Sequence, residues 1–184
     1  MLGLNYLAWI GIVSWIVVPL LAFVTARLLW RRSRSDLSKA LALAAGIAIV
    51  LTPALISNGV KAYYDGQVRE LCAKDGGVRV YETVKLPAEK FNQWGQVRIP
   101  SKQAARPDDE YSYESSTNHL KNGNPEIWQS QYKVYRQVDR KLLGESLGYA
   151  RRGGDLPGPW NESSFGCPGN TDITDLNKQI FIKN

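Results

Sequence analysis

Catalysis needs nucleophiles, bases or metal ligands within reach of one another, and this chain offers few. Ser163 and Ser164 are candidate nucleophiles and His119, the one histidine, a candidate base. No G-x-S-x-G turn surrounds either serine. Asp108, Asp109 and Glu110 form a carboxylate run of the kind that binds a hard cation, and a solvated turn has the same composition. Gly153, Gly154 and Asp155 fall short of the G-x-G-x-x-G phosphate cradle and read as a tight turn. One histidine and two cysteines, Cys72 and Cys167, cannot assemble a usual zinc site. The expectation is a protein with no catalytic residues, no metal and no cofactor.

The elements that would carry these residues differ sharply along the chain. Residues 1–60 hold six charged side chains, Arg27, Arg31, Arg32, Arg34, Asp36 and Lys39, out of 23 Lys plus Arg and 17 Asp plus Glu in all 184 residues. Residues 1–26 carry none, a length of about 39 Å as a helix against a hydrocarbon core of about 30 Å. Residues 40–60, between Lys39 and Lys61, give about 31 Å. Lipid offers the backbone no hydrogen bonds, so both runs are expected to be transmembrane helices, at about 4–26 and 40–60. Val24-Thr25-Ala26 would suit a signal-peptide cleavage site. The basic cluster, however, follows the apolar run instead of preceding it, so retention as an anchor fits better.

The loop of residues 27–39 gathers the cations Arg27, Arg31, Arg32, Arg34 and Lys39, which the positive-inside rule places in the cytoplasm. The N-terminus and residues 61–184 are then expected on the other side, the periplasm of a bacterial inner membrane. Tyr6, Trp9, Tyr63 and Tyr64 at the outer ends, with Trp30 at the inner end, suit an aromatic belt. Ala42, Gly46 and Val50 give the second span a small-residue face, either for Gly11 and Ser14 of the first span or for a homo-oligomer through Ala42 and Gly46. Pro53 predicts a kink. Neither span contains an Asp, Glu, Lys, Arg or His, which argues against a channel or proton-coupled transporter built from this chain alone. The sequence pI of about 9.3 reflects the loop rather than a basic face, which argues against nucleic acid as a partner.

Residues 61–184 read as a periplasmic α+β domain, an antiparallel sheet packed on a long amphipathic helix. Val60, Tyr64, Val68, Leu71 and Cys72 keep a helical period to about residue 75, and Gly76-Gly77 stops it. Strands are expected at 78–84, 110–117, 127–138, 142–151 and 178–183, with a short helix at 88–94. The 127–138 and 142–151 strands make the clearest hairpin. On its first strand Trp128, Tyr132, Val134 and Val138 share one face and Gln129, Gln131, Lys133 and Gln137 the other. Both cysteines fall in the external part, where thiols oxidise, so a Cys72–Cys167 disulfide is expected.

The segments 71–84, 141–149 with 151–160, and Ser164-Phe-Gly-Cys-Pro168 resemble a family of small, uncharacterised bacterial inner-membrane proteins with a cysteine-containing periplasmic domain. That resemblance implies an inner-membrane setting and brings no catalytic residues. In such a setting the Asn161-Glu162-Ser163 sequon has no role. Three classes remain: an anchored interaction or assembly subunit of an envelope complex, an immunity or inhibitor protein against an envelope-acting toxin, and a periplasmic enzyme or ligand sensor. The first is favoured, with another envelope protein as partner and Tyr111, Tyr113 and Trp160 as candidate contacts.

Overall fold

The computed structural model describes residues 6–32, 35–156, 161–167, 169 and 171–184, with the side chains of 6–15 outside the description. Two helices come first, α1 (Tyr6–Arg32) and α2 (Asp36–Asp75). Ser35 starts α2: its Oγ accepts from Ser38 N at 3.3 Å, satisfying one of the donors a helix start leaves open. Asp36 stands in the first turn, where the helix dipole favours a carboxylate. Pro19 and Pro53 lie inside α1 and α2, and neither ends its helix.

The chain divides into two compact units, one of residues Met1–Tyr63 with Gly153–Ser163, the other of Tyr64–Arg152 with Ser164–Asn184. In the first, α1 and α2 meet through small residues. A Cβ on Gly46 would lie 3.4 Å from Ala26 Cβ, and Ala22 and Ala42 are both buried. The small face of α2 thus meets α1 within the chain, the first of the two uses expected for it. On α1 the facing residues are Ala22 and Ala26; Gly11 and Ser14 lie outside the described side chains.

The expectation of two spans meets a narrower finding. Among the described residues α2 alone is long and apolar enough to cross a membrane, and 6% of its apolar stretch is buried inside the protein. The side chains of α1 are described only from Ile16 onward, and that remainder ends in Arg27, Arg31 and Arg32, which leaves too short an apolar run.

In the second unit β5 (Leu142–Arg152) is the central strand. It pairs on one side with β4 (Glu126–Arg136), which pairs with β3 (Tyr111–Lys121). On its other side β5 takes β1 (Gly77–Val80) and then β6 (Ser164–Gly166), every pairing antiparallel. Two core clusters cover opposite faces of this sheet. Tyr132 and Val134 of β4 turn toward α3 (Ile173–Ile180), with Leu143, Leu176, Ile180 and Phe181 at the centre. Leu147 and Tyr149 of β5 turn the other way, onto Val68, Leu71 and Cys72 at the end of α2. Both contacts follow from the two-residue alternation of a strand. Gly144 permits the first, since a Cβ there would stand 2.9 Å from Arg79 O and 3.0 Å from Ile180 Cδ1.

The disulfide is present: Cys72 and Cys167 are bonded, with Cα atoms 5.5 Å apart. Other expectations need correction. The 78–84 strand is two, β1 and β2 (Val84–Leu86), broken at Tyr81, whose hydroxyl donates to Glu145. Residues 178–180 end α3, so the last strand is only β7 (Phe181–Lys183), and it pairs with β2 in parallel. Asp172 caps α3 by accepting from Asp175 N at 2.9 Å, a helix-start signal the strand reading passed over. The 88–94 helix is a single 3₁₀ turn at Ala88–Lys90. Val138 does not share the inner face; it is 88% exposed beyond the end of β4.

One charged pair belongs to this core. Arg151, its side chain 3% exposed, holds Asp65 of α2 at 2.5 Å. Removing one partner of a buried pair costs about 3–5 kcal/mol. Asp65→Ala should lower denaturant stability by about that amount. Glu114→Ala, which breaks the exposed Lys102–Glu114 pair, should cost at most about 1 kcal/mol in the same titration.

Candidate functional site

Backbone groups in a strand point alternately to its two neighbours, so one bonded residue fixes the rest. Tyr113 donates its N–H to Pro100 O at 3.0 Å and accepts from Lys102 N at 2.8 Å, while Ser101 bridges to it in parallel. Its polar groups therefore face away from β4. By the two-residue period those of Ser115, Thr117 and His119 face the same way. The opposite edge is fully engaged, with β3 paired to β4 from Tyr111↔Arg136 to Lys121↔Ile127. Beyond Tyr113 the outer edge meets no further strand among the described residues, and residues 115–120 are exposed.

Beside that edge is an open cleft of about 300 Å³, lined by Lys102, Tyr113, Glu114, Ser116, Gln131 and Lys133 among others. Lys102 pairs with Glu114 across its mouth. The polar surface continues toward β5, where Gln131 Nε2 donates to Glu145 at 3.3 Å and Tyr81 donates to the same carboxylate at 2.7 Å. That hydrogen bond raises the Tyr81 phenol above its ordinary pKa, aided by burial and by the Glu145 charge. At the far end of the strand His119 Nδ1 stands 2.7 Å from Glu126. The site offers backbone donors and acceptors in a row, with polar side chains on the flanking face.

The expected contact residues separate here. Tyr113 lines the cleft and lends its backbone to the edge. Tyr111 instead turns its ring edge-on to Phe181 at 5.0 Å within the first core cluster. Burial raises its phenol pKa, with a further push from the neighbouring Glu110 charge. Trp160 lies outside the described residues. Of the basic loop, Arg27, Arg31 and Arg32 are exposed at the end of α1, Lys39 pairs with Asp36 at 3.0 Å, and Arg34 lies outside the described residues.

Two of the catalytic candidates have partners of their own. His119 is engaged with Glu126, and the Ser163 amide with Asp155 at 2.6 Å. Asp109 closes a turn by accepting from Arg106 N at 2.6 Å. Among the described residues no group of three or more His, Cys, Asp or Glu could hold a metal.

Sequence reading missed the role of Asp155. Gly153 and Gly154, at φ of 87° and 83°, make the turn that brings it to Lys61 Nζ at 2.9 Å. Burial pushes its carboxyl up, but the Ser163 amide and hydroxyl and the Lys61 ammonium outweigh that and hold it at about 2. No family model matches the chain, and no curated protein or solved structure matches it.

A depressed carboxylate contributes stability that is complete above its unfolded pKa, near 4, and is lost as pH falls through the folded value. The Ser163 amide should therefore keep its hydrogen-exchange protection down to about pH 4 and lose it toward the folded value of about 2, after correction for intrinsic rates. Asp155→Asn should lower the protection at neutral pH and flatten that acid transition.

Proposed function

We propose that this chain is a membrane-anchored interaction subunit of the bacterial envelope, and that the outer edge of β3 receives an extended segment of another envelope protein. The observation that carries this is the Tyr113 edge. It already bridges to residues 100–102 through a single residue pair and then continues uncovered through Ser115, Thr117 and His119. Adding a strand there supplies main-chain hydrogen bonds for affinity, and the cleft beside it supplies side-chain selection. Anchoring through both N-terminal helices, with the loop of residues 27–39 in the cytoplasm and both termini outside, is supported by the cations of that loop and by the uncovered apolar surface of α2. The unmatched catalytic candidates favour binding over turnover.

The edge is tested where its donors point away from β4. Thr117→Pro removes an outward N–H and no bond to β4, while Thr117→Lys adds a charge that blunts an edge. Each should abolish co-purification of the partner from detergent-solubilised envelopes with the disulfide and the thermal transition unchanged. A partner retained by both variants refutes the edge. Alkaline phosphatase fused after residue 184 should be active and fused at Ser35 inactive; the reverse pattern refutes the topology.

A further inference from the structure

Residues 91–97 fold back on themselves beside α3. Phe91 bridges Val97 in antiparallel fashion, and Asn92 Oδ1 accepts from both Trp94 N and Gln96 N at 2.9 Å, which fixes the turn between them. α3 buries Leu176 and Ile180 in the core, and its neighbouring residues Ile173, Thr174 and Asn177 meet Asn92 and Gln96 across a hollow of about 340 Å³. A second hollow, of about 640 Å³, shares Asn92 and continues along Lys178, Phe181 and Ile182, so the two make one groove. From Ile173 to Phe181 the helix rises roughly 12 Å, which an extended chain covers in three to four residues.

Three features of this groove point to a ligand. Asn177, on its wall, is 7% exposed, and its Oδ1 is buried without a hydrogen-bond partner. A buried acceptor left unpaired is destabilising, and folded chains carry few of them. A half-turn of the amide exchanges its ends, so Asn177 can accept from a peptide N–H or donate to a peptide carbonyl. Next, cations stand toward both ends, Arg98 in the hollow with Ile173 and Lys183 in the one with Phe181, and neither makes an ion pair among the described residues. Lys178, between them, has Asp175 at 3.9 Å. No carboxylate lines either hollow among the described residues. Last, Trp94 on the turn is 69% exposed, and Ile182 of the groove wall is exposed as well, apolar surface of the kind that anchors a bound chain.

We infer that the groove between α3 and residues 91–99 binds an acidic peptide of three to four extended residues, with its carboxylates on Arg98 and Lys183 and one peptide group on Asn177. Trp94 and Ile182 cover its apolar side chains. This site does not depend on the outer edge of β3. The edge selects through main-chain pairing, the groove through charge and one amide. Tyr113 lines both the groove and the cleft beside β3, whereas Thr117 lines neither.

The probe is acetyl-Glu-Leu-Ala-Glu-amide carrying a neutral coumarin, titrated with the full chain in dodecyl maltoside and read by fluorescence anisotropy. Saturable binding is expected, and the analogue with Gln for both Glu should bind about tenfold more weakly. Arg98→Gln, at an exposed position, should weaken binding of the acidic peptide about tenfold. Asn177→Leu should weaken it by about as much with the thermal transition unchanged or raised, since it removes an unpaired buried acceptor. Thr117→Pro should leave the affinity as it is, so the groove and the β3 edge fail separately. Equal binding of the Gln analogue overturns the acidic ligand. Affinity indifferent to both Arg98→Gln and Asn177→Leu places the peptide elsewhere and overturns the site. A lowered transition in Asn177→Leu gives the amide a role in the fold and overturns its role in the groove. No saturable binding up to about 1 mM peptide overturns the inference as a whole.

Discussion

The end of α2 is held against the sheet by a bond that does not depend on packing. Cys72 and Cys167 are 95 residues apart in sequence, and a cross-link closing a loop of that length contributes about 4.7 kcal/mol in the chain-entropy model. It lands where it organises most. Tyr149 N–H points to Cys167 Sγ and Cys167 N–H to Tyr149 O, so the bridge is continuous with the ladder of β5. Around it Val68, Ile127 and Tyr149 close the second core cluster, with Arg69 stacked over Phe165 at 5.0 Å. The amphipathic end of a helix becomes one layer of the domain, which lets a single sheet carry a core on each face.

The buried Arg151–Asp65 pair acts at the same seam. A charge pair in a core is weak support for stability, because the desolvation of both ions offsets their attraction. Its contribution is registry. Arg151 follows Leu147 and Tyr149 on the face of β5 that meets α2, and Asp65 lies one turn before Val68 and Arg69. A strand slipped by one residue would turn Arg151 to the α3 face and leave Asp65 unmet. The disulfide sets which elements meet; the ion pair penalises the wrong alignment.

The legible parts of the sequence were those with strong local periods. The helical spacing of Tyr64, Val68, Leu71 and Cys72, the hairpin of β4 and β5, and the oxidised cysteines are all present. What escaped was decided by local chemistry that competes with period. Residues 178–183 alternate like a strand, but the Asp172 cap starts a helix whose face of Ile173, Leu176 and Ile180 fills the space that Gly144 leaves. Val134 and Tyr135 sit at a register shift, which ends the alternation before it reaches Val138. The open edge was not legible at all, since Ser115, Ser116 and Thr117 read equally as a loop or a central strand. Only pairing shows which side of β3 is free.

An open edge is a hazard that proteins usually blunt with charge, proline or a covering segment. Here the cover is partial: residues 100–102 protect Tyr113 and stop. The exposed remainder, Ser115-Ser-Thr-Asn-His119, has neither lysine nor proline on it, so nothing repels an incoming strand. It is also polar, so the driving force for non-specific self-pairing is small, and the proposed recognition would fall to main-chain bonds and the flanking cleft. On the proposed docking, selectivity would come from Lys102, Glu114, Gln131 and Lys133, which present both signs of charge beside the edge. On that proposal an extended segment with polar and charged side chains would suit those groups, whereas a purely apolar one would take water from them and return no hydrogen bond.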